Sequence, residues 1–433
     1  MEKQREVSLL GAVSIGVGGM VGGGIFAVLG EAVSLAHGAT AVAFFVAGLV
    51  ALLTSYSYAK LSVAYQSEGG TVSFIDAAFG HNLLSGSLNL MLWLSYLVTI
   101  SLYAVAFASY GATFFTTTTP LLHHILISIA ILLPAIINLI SASFVSKSES
   151  VIVMIKIVLL VVIIVSGVSY VDTERLAPQH WGSSLSIVVA GMMIFVAYEG
   201  FELIANAAEE IKNPKRNLPL AFYISVVFVI TLYILIALIS VGTVPEAQLL
   251  EAKDYALAIA AKPALGKMGF TLVTTAALLA TFSAINATIY GNARLGYIIA
   301  SEGELPKVLK KEKREIPLMG VVFTLGLSLI LANTIQLDEI AIIGSASFLL
   351  IFFIVNLSAI KLSSKIGASR FISSFAAFLT LVALGVLLYH TYSSNPKAFM
   401  IFIAFIVISF CFEFFYGRLV RKELFHRKYS NIA

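Results

Sequence analysis

The sequence predicts an all-α membrane protein of twelve transmembrane helices, with helices 1–5 repeated in inverted form as helices 6–10. Three observations predict it. The composition is 59% hydrophobic and only 12% charged, with a mean hydropathy of +0.97, where a soluble domain carries about 25% charge. Charged or turn-rich interruptions cut the chain into twelve apolar stretches. The first and sixth stretches are each broken near the middle, and paired interruptions at matching positions of two halves point to an inverted repeat.

The expected spans are roughly 8–36, 39–65, 82–115, 122–142, 149–170, 185–209, 218–243, 267–300, 317–334, 338–361, 371–392 and 398–418, with boundaries good to about two to four residues. They form a single transmembrane domain over 1–433, with a first repeat at 8–170 and a second at 185–361. Helices 11 and 12, at 371–418, fall outside the repeat. A 6+6 organisation would favour a long central loop after helix 6, but the loop at 211–217 is short and the large basic loop follows helix 8. Two loops are expected to have helical character of their own: residues 246–265 read as a short amphipathic outer helix before Pro263, and 66–80, with Gly69 and Gly70, as a cytoplasmic connecting or re-entrant loop.

Met1 to Val7 is short and charged, and the apolar stretch after it is too long for a signal-peptide core, so no cleavable leader is expected. With the N-terminus cytoplasmic and the spans alternating, most of the 27 Lys and Arg fall inside. They include Lys3, Arg5, Lys147, Lys212, Lys215, Arg216, Lys307, Lys310, Lys311, Lys313, Arg314, Arg427 and Lys428. This positive-inside bias places both termini in the cytoplasm and the protein in the cell membrane. The basic clusters then serve as topology signals and call for no nucleic acid. Cys411 is the single cysteine, which excludes an intramolecular disulfide.

The first span holds the densest glycine run: Gly16, Gly18, Gly19, Gly22, Gly23 and Gly24, with Glu31 the only charge across 9–35. Each glycine weakens a helix by about 1 kcal/mol relative to alanine, so three in succession predict a break. Backbone groups freed within hydrocarbon are tolerated only where they line a cavity or hold a ligand. The second half-helix would aim the N–H groups of Gly23, Gly24 and Ile25 at an anion such as a carboxylate. Carbonyls ending the first half, near Met20 and Val21, suit a cation such as an amino group. The competing reading is close helix packing, because Gly18/Gly22 and Gly19/Gly23 both fit a GxxxG pattern.

Lys156 lies in Val151-Ile152-Val153-Met154-Ile155-Lys156-Ile157-Val158-Leu159. It is seven residues from Glu149 at the cytoplasmic end, about 10 Å deep at 1.5 Å per residue. Its stem could snorkel towards the interface. Held inside, an amine that gains and loses a proton would act as a moving cation. In the sixth span, Tyr198-Glu199-Gly200-Phe201-Glu202 places two carboxyl groups three residues apart beside a glycine. Glu199 and Glu202 read as substrate contact, proton carrier or gate latch, or as structural partners for the freed backbone. Glu209 and Glu210 are expected to pair with Lys212, Lys215 and Arg216, and Glu413 to be paired locally. Asn138, Ser283 and Asn286 are expected to join helices.

No HExxH, GxSxG or phosphate-cradling loop is present, and no His or Cys cluster has metal spacing. Neither an enzyme nor an ATP-driven pump is expected on that ground, and no cofactor or metal is expected.

The run Ser14-Ile15-Gly16-Val17-Gly18-Gly19-Met20-Val21-Gly22-Gly23-Gly24-Ile25-Phe26 resembles the first-helix signature of amino acid permeases of the amino acid–polyamine–organocation superfamily. The stretch Tyr198-Glu199-Gly200-Phe201-Glu202, continued by Glu209-Glu210-Ile211-Lys212-Asn213-Pro214-Lys215-Arg216-Asn217-Leu218-Pro219, is similar to the sixth helix and the loop after it. Helix 8, with Ser283-Ala284-Ile285-Asn286-Ala287-Thr288-Ile289-Tyr290-Gly291, also resembles the family.

The resemblance implies a leucine-transporter-like 5+5 inverted repeat with discontinuous helices 1 and 6. In that fold the backbone at Gly22, Gly23, Gly24 and Ile25 would hold a substrate carboxylate. The carbonyls of Met20, Tyr198 and Glu199, beside Gly200, would receive the amino group, with Tyr198 and Phe201 walling the side-chain pocket. Lys156 matches the helix-5 lysine of proton-coupled, sodium-independent archaeal-type members, with the Gly18 carbonyl and the Ser283 hydroxyl as its partners. Val196 stands where arginine–agmatine exchangers carry a tryptophan, which counts against that exchange activity.

The implied function is secondary active transport of neutral or broad-range amino acids by proton symport, with Glu202 a second proton-coupling candidate. The alternatives are an amino acid/amine exchanger or a non-transporting sensor or channel. The implied partners are an amino acid, protons and the lipid bilayer. No oligomeric state follows from the sequence.

Overall fold

The computed structural model describes residues 5–140, 142–313 and 316–422. The chain runs through α1 (Leu9–Met20), α2 (Gly24–Ala36), α3 (Thr40–Ala64), α4 (Thr71–Phe79), α5 (Leu83–Ala112), α6 (Pro120–Ile140) and α7 (Ala142–Gly167). After three short 3₁₀ turns come α8 (Ser184–Met193), a 3₁₀ segment at Ile194–Tyr198, α9 (Leu203–Asn206) and α10 (Pro214–Thr243). The remainder is α11 (Glu246–Ala252), α12 (Ala256–Ala260), α13 (Lys262–Ser301), α14 (Leu318–Thr334), α15 (Leu337–Lys361), α16 (Ser363–Ile366), α17 (Arg370–Ser394) and α18 (Pro396–Tyr416). Two short strands, β1 (Glu312–Lys313) and β2 (Ile316–Pro317), pair antiparallel in the basic loop before α14.

Among the described residues ten helices are long and apolar enough to cross a membrane, and eleven if the bent pair α1 and α2 is one span. The stretch expected as the ninth span forms the shorter apolar helix α14. Local chemistry sets several helix starts. Asn82 and Ser85 close a capping box on α5, whose hydroxyl and amide groups satisfy donors that the first turn leaves open. Ser369 caps α17 and Asn395 caps α18. Pro214 follows Asn213 in the left-handed region and opens α10, where its missing N–H costs nothing.

Burial separates the inner helices from the outer ones. The apolar windows of α5 and of the broken helix at 184–206 are each 89% buried, whereas those of α6, α7 and α18 are 28% buried and present apolar side chains outward. The exposed faces of α6, α7, α17 and α18 carry residues such as Leu133, Val165, Phe371, Phe378 and Ile408. Such a belt suits a hydrocarbon solvent rather than water. Inside it, α3 packs along α10, α13 along α5, and α15 against both α5 and α17.

The two expected breaks are present. α1 and α2 are bent by 47° across residues 21–23. The other broken helix tightens to 3₁₀ at Ile194–Tyr198, runs extended at Glu199, and turns at Gly200 with φ +120°. The breaks meet backbone to backbone. A Cβ on Gly19 would lie 2.6 Å from the Gly200 carbonyl oxygen, and a Cβ on Gly200 would lie 2.3 Å from the Gly19 carbonyl carbon. One on Gly24 would lie 2.7 Å from the Ala197 Cα.

Two expectations need correction. Residues 246–265 do not form one helix: α11 and α12 are separated by a 3₁₀ turn at Lys253–Tyr255. There the Lys253 ammonium bonds Glu31 on α2 at 2.7 Å, and a Cβ on Gly30 would meet the Lys253 carbonyl oxygen at 2.1 Å. Docking onto α2 therefore overrides the helical pattern. The helical character expected of the 66–80 loop is present as α4, entered through Gly70 at φ +46°. Among the described residues, no ion pair joins Glu209 or Glu210 to Lys212, Lys215 or Arg216. The segment is instead fixed by backbone bonds, Val7 N–H to the Glu210 carbonyl and Lys212 N–H to the Val7 carbonyl.

Glu413 is paired with Arg421, and Asn138 donates to the side-chain and backbone carbonyls of Asn286, joining α6 to α13. Lys3, Arg314, Arg427 and Lys428 lie outside the described residues, as do the side chains of Lys147, Glu149 and Lys313.

The contact between Gly19 and Gly200 generates a stability prediction. Gly200→Ala is expected to cost about 3 kcal/mol or more, from an unfavourable φ and a backbone collision. Gly326→Ala, on an α14 position with open space around it, is expected to be neutral or stabilising by up to about 1 kcal/mol. Melting of the two detergent-purified variants beside wild type checks both.

Candidate substrate site at the helix breaks

Gly22, Gly23 and Gly24 are buried, and so are Met20, Ile25, Tyr198, Glu199, Gly200, Phe201 and Glu202. Among the described residues no hydrogen bond is donated by the N–H of Gly23, Gly24 or Ile25. Gly24 and Ile25 open α2 and have no carbonyl a turn behind them to bond, so their N–H groups face the gap. The bare face of the glycines is covered from α5. A Cβ on Gly23 would strike the Tyr103 ring at 2.3 Å, and one on Gly22 would lie 2.9 Å from Ala284 Cβ and 3.4 Å from the Tyr103 hydroxyl.

The carbonyl side of the break is partly occupied. The Tyr233 hydroxyl, on α10, donates to the Met20 carbonyl at 2.6 Å and lies 3.2 Å from the Ala197 carbonyl. One phenol thus ties the ends of both broken helices. The Ser345 hydroxyl on α15 does similar work on the 3₁₀ segment, donating to the Met193 carbonyl at 2.6 Å and accepting from Val196 N–H at 2.9 Å.

Tyr198 and Phe201 are both engaged by neighbours. The Tyr198 ring packs on Tyr233, and its hydroxyl donates to the Phe44 carbonyl at 2.8 Å. Phe201 belongs to an aromatic cluster with Tyr58, Phe222 and Phe352. Glu202 accepts from Gly200 N–H at 2.8 Å and from the Tyr96 hydroxyl at 3.1 Å, so its carboxyl group solvates the break. Glu199 accepts from the Tyr103 hydroxyl at 3.3 Å. Its side chain therefore stands on the same side as the glycine run, because one hydroxyl touches both.

Lys156 is 2% exposed although its helix is mostly peripheral. Its ammonium does not run out to an interface: Nζ makes a long hydrogen bond, 3.5 Å, to the Gly18 carbonyl on α1. Ser283 is buried on α13, which packs against the Lys156 helix α7.

Two cavities of about 400 Å³ each flank this buried centre. One, towards the basic side, is lined by Tyr65, Gln66, Ser67, Asp76, His81 and Glu302. The other, at the opposite end, is lined by His123, His124, Lys253, Asp254, Gln336 and Asp338. Burial pushes the Asp254 carboxyl above the usual carboxylate range, against the Ser109 hydrogen bond and the Lys253 charge.

Beside the first cavity the fold gathers Asp76, His81 and Glu304, whose ligand-type atoms lie within 4.8 Å of one another. No metal spacing is legible there along the chain, because Glu304 is far from the other two in sequence. The Asn89 amide donates to both carboxylates, at 3.3 and 2.9 Å, so a hydrogen-bond network already accounts for the cluster.

Sequence reading named no residue on α5 or α10 for this site. Tyr96 and Tyr103 are seven residues apart, two helical turns on one face of α5. A polar tip repeated at that interval in an otherwise apolar helix was the available signal. Tyr233 offers no such pattern.

The amino acid permease family model matches residues 7–412, nearly the whole chain. The chain belongs to the amino acid permease family. It is 33% identical over 429 residues to an uncharacterized protein of Methanocaldococcus jannaschii, covering 99% of each chain. It is 33% identical over 410 residues to the inner membrane transport protein YbaT of Escherichia coli, covering 94% of this chain and 95% of that one. It is 24% identical over 387 residues to the branched-chain amino acid permease BcaP of Bacillus subtilis, covering 84% and 82%. The broken helices, the buried polar centre and the apolar belt are thus those of a multi-pass transport protein of the amino acid–polyamine–organocation superfamily, and this permease is a transporter rather than an enzyme.

The Tyr233 link generates the second prediction. Tyr233→Phe leaves the Met20 and Ala197 carbonyls without their shared donor and is expected to cost about 1–3 kcal/mol. The drop in melting temperature of the purified variant measures it.

Proposed function

We propose that this permease carries neutral or broad-range amino acids across the cytoplasmic membrane by alternating access, in symport with protons. Its termini would be cytoplasmic, with 8–170 and 185–361 as the two inverted repeats and helices 11 and 12 appended. The substrate carboxylate would take the N–H groups of Gly22, Gly23, Gly24 and Ile25. The amino group would take the carbonyls of Tyr198 and Glu199 and the remaining lone pair of Met20. Tyr198 and Phe201 would stand behind Gly200 as the wall of the side-chain pocket, with Tyr103 as the movable cover.

The observation that carries the coupling is the buried Lys156 amine against the Gly18 carbonyl, two residues before Met20 ends the first half-helix. A charged amine pulls on this carbonyl, and a neutral amine releases it, so the proton on Lys156 would bias the angle between α1 and α7. Ser283 would offer the amine a further oxygen as that angle changes. No cofactor takes part in this scheme.

Proteoliposomes test it. An inward proton gradient is expected to drive accumulation of amino acids from a mixture of the twenty, equally well when sodium is replaced by choline. Lys156→Ala is expected to reduce accumulation to the level seen without a gradient. Accumulation that needs sodium and survives in Lys156→Ala would overturn the coupling, and uptake that occurs only when amino acids are preloaded inside would point to exchange.

A further inference from the structure

The Glu199 carboxyl is an unusual group to find beside a carboxylate-binding backbone. It would repel the substrate's acid end, yet it is held there by an ordered set of contacts. Its partner Glu202 is fixed by Gly200 N–H and by the Tyr96 hydroxyl. The other phenols facing the pair are Tyr103 from α5, Tyr58 from α3 and Tyr233 from α10. Lys156 is bonded beneath the neighbouring break.

Glu199 Oε2 accepts from the Tyr103 hydroxyl, and that hydroxyl also lies beside Gly22. A single donor thus bridges the bare glycine backbone and the carboxylate. An α-amino acid has the same layout, with a carboxylate for the Gly22, Gly23 and Gly24 N–H groups and an ammonium two bonds away.

We propose that the Glu199 carboxylate is the counter-ion for the substrate's α-ammonium, occupying the place that the Tyr103 hydroxyl fills here, with Glu202 positioning it through its bond to the Gly200 N–H. The inference rests on the amino acid site proposed above and deepens it: recognition of the amine is ionic, not by backbone carbonyls alone. It makes the ammonium the specificity-determining group. A carboxylate with a hydroxyl in place of the amine could still reach the glycines, but it would leave a buried negative charge with no cation. The Glu202 side chain is a positioning group. A glutamine there can still accept from Gly200 N–H with its oxygen, keeping the turn that follows Glu199 in place.

The test is binding by the purified full-length protein in detergent, read by thermal shift and calorimetry. The twenty L-amino acids are screened singly, and the best binder is compared with its 2-hydroxy acid. Wild type is expected to bind the amino acid at least about ten-fold more tightly than the hydroxy acid, the worth of one hydrogen bond to a charged group. In Glu199→Gln that preference is expected to collapse to within about three-fold, through loss of amino acid affinity. Glu202→Gln is expected to keep the preference, and Glu202→Leu to lose it.

Equal binding of amino acid and hydroxy acid by wild type overturns the inference while leaving the transport reading intact, and that comparison needs no variant to fold. A folded Glu199→Gln with full preference overturns it as well. Failure of wild type to bind any of the twenty overturns both the amino acid site and this assignment.

Discussion

The structure depends on how backbone polar groups are satisfied where two helices are interrupted inside a hydrocarbon solvent. An unbonded N–H or C=O there costs several kcal/mol. The solution is mutual: the breaks are pressed together at Gly19 and Gly200 and at Gly24 and Ala197, so closely that a methyl group at any of the three glycines would collide. Side chains from the surrounding helices then complete the bonding. Tyr233 serves carbonyls on both breaks, Ser345 serves the 3₁₀ segment, and Glu202 serves the Gly200 N–H. What they leave open is the start of α2, which is the part suited to a negatively charged visitor.

The polar groups form two layers of different character. Phenols and hydroxyls act as clips for carbonyls whose number is fixed by the fold. Lys156, Glu199 and Glu202 are ionisable groups brought into the same small volume, and each touches a break or a neighbour that does. Ionisable groups within a membrane are expensive and are kept where something moves. Their positions gather the ionisable groups of the centre around the breaks between half-helices.

Much of the architecture was legible in the sequence. Apolar stretches of about twenty residues are long enough to span, and Gly22, Gly23 and Gly24 weaken a helix, so most of the long apolar helices and the first break could be read directly. The second break followed from Glu199 and Gly200 in an apolar run. Lys156 was conspicuous because an apolar helix has no ordinary use for it. The partners were not legible. Tyr103, Tyr96 and Tyr233 meet the breaks only because α5 and α10 pack with one particular rotation, a property of the assembled bundle. The same holds for Asp76, His81 and Glu304, which distant segments bring together. The outer segment at 246–265 had the right period for a continuous helix, but the Lys253–Glu31 contact outweighs a few tenths of a kcal/mol of propensity per residue.

That outer contact has a mechanical side. The Lys253 carbonyl sits where Gly30 has no side chain, and the Lys253 ammonium grips Glu31 one residue on. Two successive positions of α2 are thus keyed to one residue of the α11–α12 cap, which leaves no room to slide along the helix. The half-helix that offers its N-terminus to the centre and the cap over the far cavity are therefore geared together. Any tilt of α2 that opens the glycine run must lift or lower that cap, coupling the door to its hinge through one lysine.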